Sequence, residues 1–263
     1  FLGQKESGLE HWLHATETDP SFAIAARNVG FGYGCLNDLE KSIKYYDRAI
    51  NANPNDPLLL TESDKIYEQA NIPTDQRLKR LESHLKTVMK HDDAVMRLLT
   101  LYNAESKYDK SIKILNTRHF HLWEGGGQVH DIYADSHILK GMQFLKRKQY
   151  KEAIREFDLA NQYPSNLEVA PSPNGGYEAK IYYLSGIAYE AMKQTDKAKI
   201  CFEKSADTHF RSHLTDLNYY KIKSLRKLNR NGEADVALSD MQKTLERILR
   251  NPTDSYAKFG EAN

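Results

Sequence analysis

Three features of the sequence predict an all-α fold built from stacked antiparallel helix pairs. Pro20 and Pro54 lie 34 residues apart, and each follows a helical pattern. Upstream of Pro54, the residues Gly30, Tyr33, Ser42, Tyr46 and Ala49 alternate small and aromatic side chains. Small residues belong where two helices approach closely, and aromatic ones where the gap between them must be filled. The same order returns in Gly141, Phe144, Ala153, Phe157, Ala160 and in Gly186, Tyr189, Ala198, Phe202, Ala206.

Taken in order, residues 4–20 read as half a repeat, with Gly8, Trp12 and Ala15 matching Ser42, Tyr46 and Ala49. A lone second helix would leave its inner face bare, so the reading expects the native protein to continue upstream. The first full repeat spans about 23–56 and turns at Leu36-Asn37-Asp38. The next, about 57–90, is degenerate: Thr74 or Asp75 is the expected helix cap, and Leu78, Leu81, Leu85, Val88 and Met89 form one helical stripe. Further repeats follow at about 92–118, 134–165, 179–208 and 214–249, so residues 1–250 read as one solenoid with a loosely ordered tail at 251–263.

The period then locates two insertions. Gly30, Asp64, Leu99, Gly141 and Gly186 are equivalent positions, spaced by 34, 35, 42 and 45 residues. The extra residues fall in loops at 119–131 and 166–176, and a third junction lies at 207–213. All three join the second helix of one repeat to the first helix of the next, so they are expected to line up on one edge and build one surface feature. Long glycine-bearing loops on a rigid scaffold are common places for function.

Composition excludes several classes. Formal net charge is +1 and mean hydropathy is −0.69. That argues against a nucleic-acid binder, which would carry a basic stripe. No apolar run reaches the roughly 18 residues of a membrane span. Cys35 and Cys201 read as buried structural thiols with no C-x-x-C motif; the compartment stays open between cytosol, which is favoured, and periplasm. No nucleophile elbow, phosphate loop or dinucleotide fingerprint is present, so no catalytic residue and no cofactor are assigned, and the chain alone does not read as an enzyme.

The first insertion gathers the unusual residues. His119, His121, His130, Glu124 and Asp131 invite a metal reading, but their spacing matches no ligand motif, and no metal is assigned. Asp131 suits the first turn of a helix. Trp123 is the candidate anchor for a partner, with packing between repeats as the alternative. Along the inner face, Ile24, Arg27, Asn28 and Phe31, then Asp135, Ile138 and Met142, then Lys180, Tyr183 and Ile187 form a mixed, partly apolar groove. Arg27, Phe31, His119, His121, Trp123, Glu124, His130 and Asp131 are the candidate binding residues.

The 34-residue small/aromatic pattern ending in Pro resembles the tetratricopeptide repeat family. That resemblance implies a right-handed α-α superhelix with a concave groove that binds an extended peptide or a protein domain. Its members that clamp chaperone tails line the groove with Lys, Asn and Arg, which this groove does not match. Three pieces, Arg27-Asn28-Val29-Gly30, His119-Phe120-His121-Leu122-Trp123-Glu124-Gly125-Gly126 and Tyr163-Pro164-Ser165-Asn166-Leu167, also look like the C-terminal repeat region of large bacterial proteins. Those proteins carry a β-rich upstream domain similar to carbohydrate-active sandwiches. The resemblance implies an interaction scaffold docking onto that domain, or an accessory role in carbohydrate binding with the 119–131 loop at the site.

Overall fold

The computed structural model describes residues 5–121, 128–171, 176–208 and 216–250. Among these the chain is all-α, with fourteen α-helices and no strand. Its contacts gather in two compact units, 1–132 and 133–263. The first holds α1 (Lys5–Thr18), α2 (Ala23–Cys35), α3 (Leu39–Ala52), α4 (Pro57–Gln69), α5 (Thr74–Ser83), α6 (Leu85–Val88), α7 (Asp92–Ala104) and α8 (Tyr108–Thr117). The helix α9 (Gln128–Lys146) starts there; the second unit takes its remainder with α10 (Tyr150–Ala160), α11 (Glu178–Ala191), α12 (Thr195–Ala206), α13 (Asp216–Lys227) and α14 (Asn231–Arg250).

Six turns inside the pairs share one geometry. Asn37, Asn71, Ser106, Lys148, Lys193 and Asn229 all adopt left-handed backbone angles, with φ from 55° to 60°. Each is followed by an N–H that reaches back five residues: Asp38 to Tyr33, Ile72 to Tyr67, Lys107 to Tyr102, Gln149 to Phe144, Gln194 to Tyr189 and Arg230 to Leu225, at 2.7–3.0 Å. This is the Schellman arrangement, which satisfies carbonyls left over at a helix end and reverses the chain. None of the six positions is glycine, so each turn bears a steric cost of about 1 kcal/mol.

Helix pairs close where a small residue of one helix faces a large one of the other. A Cβ at Gly30 would stand 2.9 Å from the Tyr46 ring, and one at Gly186 would stand 2.5 Å from Phe202; Gly141 meets Phe157 in the same way. Tyr46, Phe157 and Phe202 are buried. Ser42 ties the first pair further by donating from Oγ to the Gly30 carbonyl at 2.7 Å. In the second unit one apolar core runs through Ala134, Ile138, Ala153, Phe157, Ile181 and Phe202.

Several expectations are corrected. The stripe from Leu78 to Met89 is not one helix: it breaks at His84, and Leu85 is exposed. Ser83 donates to the Arg80 carbonyl at 2.7 Å and the His84 ring contacts the same oxygen, so side chains take over that acceptor at the helix end. Thr74 is not a cap. It is the first residue of α5, Pro73 precedes it, and its hydroxyl bonds the Glu105 carboxylate. Helix α9 begins at Gln128, ahead of the repeat at about 134–165, with Asp131 in its first turn as expected. Cys35 is exposed because it closes α2 just before the turn, and Cys201 is only half-buried. Ile138 and Tyr183, expected to line a groove, are buried in the core instead.

Lys193→Gly and Gly186→Ala, seven residues apart, are expected to move stability in opposite directions. The first relieves a left-handed lysine and raises stability by about 1 kcal/mol; the second drives a methyl into Phe202 and lowers it by about 1–3 kcal/mol. Urea unfolding with the slope held in common reads both.

Candidate interaction surface

Helix α2 presents Ile24, Arg27, Asn28 and Phe31 at the spacing that keeps residues on one helical face. Ile24 is 58% exposed and Phe31 47%. Arg27 reaches Glu62 on α4 with two bonds: Nε donates to one carboxylate oxygen at 2.7 Å, and Nη2 to the other. The Tyr46 hydroxyl donates to the same carboxylate at 3.3 Å. The bond to Glu62 raises the Arg27 pKa, so the guanidinium stays charged in its fork. One turn before Glu62, Leu58 is also exposed. Three large apolar side chains therefore border one oriented ion pair.

A charge network that sequence reasoning missed joins α4 to α5 and α7. Asp64 on α4 is 2% exposed and accepts two bonds from Arg77 on α5, both at 2.9 Å. Arg97 on α7 donates from Nε to the same carboxylate at 2.6 Å, and Glu68 accepts from both arginines at 3.0–3.1 Å. Burial pushes the Glu68 carboxyl up, but the two guanidiniums outweigh it and hold the pKa below its ordinary value. The signal was present in the sequence: Asp64 stands where the period puts glycine in other repeats, and no apolar core position would tolerate an aspartate without cations. The third repeat solves the same position with Leu99 and Leu115, both fully buried.

The histidine-rich segment divides. Arg118 donates from Nε to Asp92 at 2.7 Å and from Nη1 to the Met89 carbonyl at 2.9 Å. The His121 backbone N–H donates to the other Asp92 oxygen at 2.9 Å. Phe120 between them is fully buried with the Arg118 guanidinium over its ring. This alternation turns His119 and His121 outward, with ring centroids 4.8 Å apart. His130 is not a surface residue: it is 7% exposed, in the first turn of α9, while Asp131 beside it is exposed. Trp123 and Glu124 lie outside the described residues, as do 122–127, 172–175 and 209–215 of the three junctions.

In the second unit, buried His137 lies 2.6 Å from Glu156 through Nδ1 and packs edge-on against Tyr133. Lys140 approaches the second Glu156 oxygen at 2.8 Å. Burial pushes the Glu156 carboxyl up, yet the bonds from His137 and Lys140 hold its pKa below the ordinary 4.5.

Residues 33–56 and 179–207 match the family model described as tetratricopeptide repeat. These two segments carry the tetratricopeptide repeat pattern. The second segment holds the pair closed by Gly186 with Phe202; the first begins after Gly30 and holds Tyr46 with the whole of α3. Among solved structures, the chain is similar to YrrB, described as a tetratricopeptide repeat protein with an unusual peptide-binding site, at 17% identity and TM-score 0.49 over 76% of this chain and 92% of that one. It is also similar to a tetratricopeptide repeat protein from Parabacteroides merdae ATCC 43184 at 15% identity and TM-score 0.49, over 92% and 87%. MamA matches at 16% identity and TM-score 0.48, over 70% and 90%.

Asp64→Ala strips two arginines of their shared acceptor and is expected to cost about 3 kcal/mol. Arg77→Ala in the same background recovers part of that loss, so a double-mutant cycle by urea unfolding gives a favourable coupling between the two. A zero coupling would mean that Arg77 is satisfied without Asp64. For Glu156 the sign follows from its depressed pKa. Its contribution is present above the unfolded value of 4.5 and fades as pH falls through the lower folded value. Glu156→Gln is therefore less stable at neutral pH and loses less on acidification; Tm measured from pH 7 to pH 3 tests this.

Proposed function

We propose that this chain is a protein-interaction scaffold whose α2–α4 face binds an extended, partly apolar peptide or a partner domain. The observation that carries this reading is the trio Ile24, Phe31 and Leu58, each at least 45% exposed, around the Arg27–Glu62 pair. Apolar side chains of that size supply binding energy when a partner covers them, and a charge pair fixed between them sets register. Arg27 commits Nε and Nη2 to Glu62 and donates from Nη1 to Asn28 Oδ1 at 3.4 Å, so it positions rather than captures a free carboxylate. The groove thus favours apolar anchors over an acidic tail. The resemblance to the repeat region of large bacterial proteins supports a partner that belongs to the same polypeptide.

Selection of the intact chain against a displayed library of random peptides tests the reading. Enriched peptides are expected to carry spaced apolar residues, and Phe31→Glu and Leu58→Glu to weaken their binding at least tenfold with Tm unchanged. Binding indifferent to both substitutions would remove this face from consideration.

A further inference from the structure

Helices α11 and α13, in the second unit, carry a face unlike the apolar one on α2 and α4. Lys180 and Tyr183 stand one turn apart on α11, and Tyr219 and Lys223 one turn apart on α13. With Tyr220 they form a chain of rings: the centroids of Tyr183 and Tyr220 are 5.7 Å apart, and those of Tyr220 and Tyr219 are 5.4 Å apart. Two ammoniums sit on these rings. Lys180 Nζ lies 5.8 Å from the Tyr220 centroid, and Lys223 Nζ lies 5.1 Å from that of Tyr183 and 5.0 Å from that of Tyr219. Lys223 also donates to the Tyr219 hydroxyl at 3.2 Å. The Tyr219 and Tyr183 hydroxyls raise the Lys223 pKa, so the amine stays protonated. Neutral rings and phenols hold an ammonium in place without cancelling its charge.

The other cations of the two helices are compensated. Arg226 meets Asp235, Lys227 meets Glu190, and Lys221 donates to the Thr208 carbonyl. Lys180 and Lys223 are half-buried and, among the described residues, have no carboxylate partner. A cation drawn partly out of water gains more from an arriving anion than a fully solvated one does. Two such ammoniums on neighbouring helices suit two side-chain carboxylates of one segment. Nucleobases fit less well: Tyr183 is 7% exposed, and each ring already carries an ammonium on a face, whereas base stacking needs open rings.

We propose that the Lys180–Lys223 face binds an acidic segment of a partner protein, each ammonium taking a side-chain carboxylate while the exposed Tyr219 ring packs beside the bound chain. This surface is separate from the α2–α4 face, and the proposal does not rest on that one.

Fluorescence anisotropy of a labelled oligoglutamate peptide, titrated with the intact chain, tests this. Saturable binding is expected, weakening as salt rises. Lys180→Met with Lys223→Met is expected to weaken it about tenfold with helix content by circular dichroism unchanged. Lys180→Arg with Lys223→Arg, which preserves both charges, is expected to retain it. Lys146→Met with Lys151→Met, at an exposed turn of the same unit, is expected to leave it as it is. No binding at low salt, an equal loss from the turn variant, or oligothymidylate bound as tightly as oligoglutamate would each overturn the proposal.

Discussion

Everything in these repeats depends on how closely the two helices of a pair can approach. At one position per repeat the first helix must yield space to a large residue sixteen positions later on the second. Gly30 with Tyr46, Gly141 with Phe157 and Gly186 with Phe202 meet that demand by removing a side chain. Leu99 and Leu115 meet it by apolar packing. Asp64 meets it by charge, recruiting Arg77 from the helix it faces and Arg97 from the next repeat. The apolar solutions draw on burial of area and tolerate variation in shape. The ionic one demands every partner, because an aspartate at 2% exposure has no water to fall back on.

The turn geometry converts that local closeness into a regular surface. Five of the six left-handed residues fall seven positions after the packing positions Gly30, Asp64, Leu99, Gly141 and Gly186, so the second helices of those pairs leave their turns in the same register. Register in turn decides which residues face out. Ile24, Phe31 and Leu58 are exposed because the adjoining faces of α2 and α4 are used up by Ala25, Ala26, Val29, Leu59 and Leu60. The insertions respect the same logic: each begins on a buried hydrophobic anchor, Phe120 in the first and Leu167, in a short 3-10 turn at Ser165–Leu167, in the second. The loops are added to the scaffold without loosening the pairs that carry them.

How much was legible differs between fold and surface. The spacings of 34, 35, 42 and 45 residues, read from Gly30 to Gly186, recur in the left-handed positions Asn37, Asn71, Ser106, Lys148 and Lys193. Periodicity is a property of the chain, and a repeated packing demand writes itself into the composition at fixed intervals. Arg27 and Phe31 were legible as surface residues for the same reason: they share a helical face with Ile24, opposite the packing glycine's neighbours. Glu62 was not, because nothing in sequence joins residues 35 positions apart except the register itself.

By itself, then, the sequence determined the helix pairs, their order and the places where the period breaks, since local spacing and turn chemistry decide those. The tertiary structure alone decided which polar groups are buried and with whom. His130 and His137 stand on one helix, α9, and both are buried, yet what His137 meets is set by Glu156 from another element. The same holds for Cys35, exposed at a helix end, and for Ser83 and His84, whose contacts with one carbonyl break a stripe that looks continuous in sequence. Burial of a polar group is settled by pairwise distances across the fold, and a linear pattern contains no such distances.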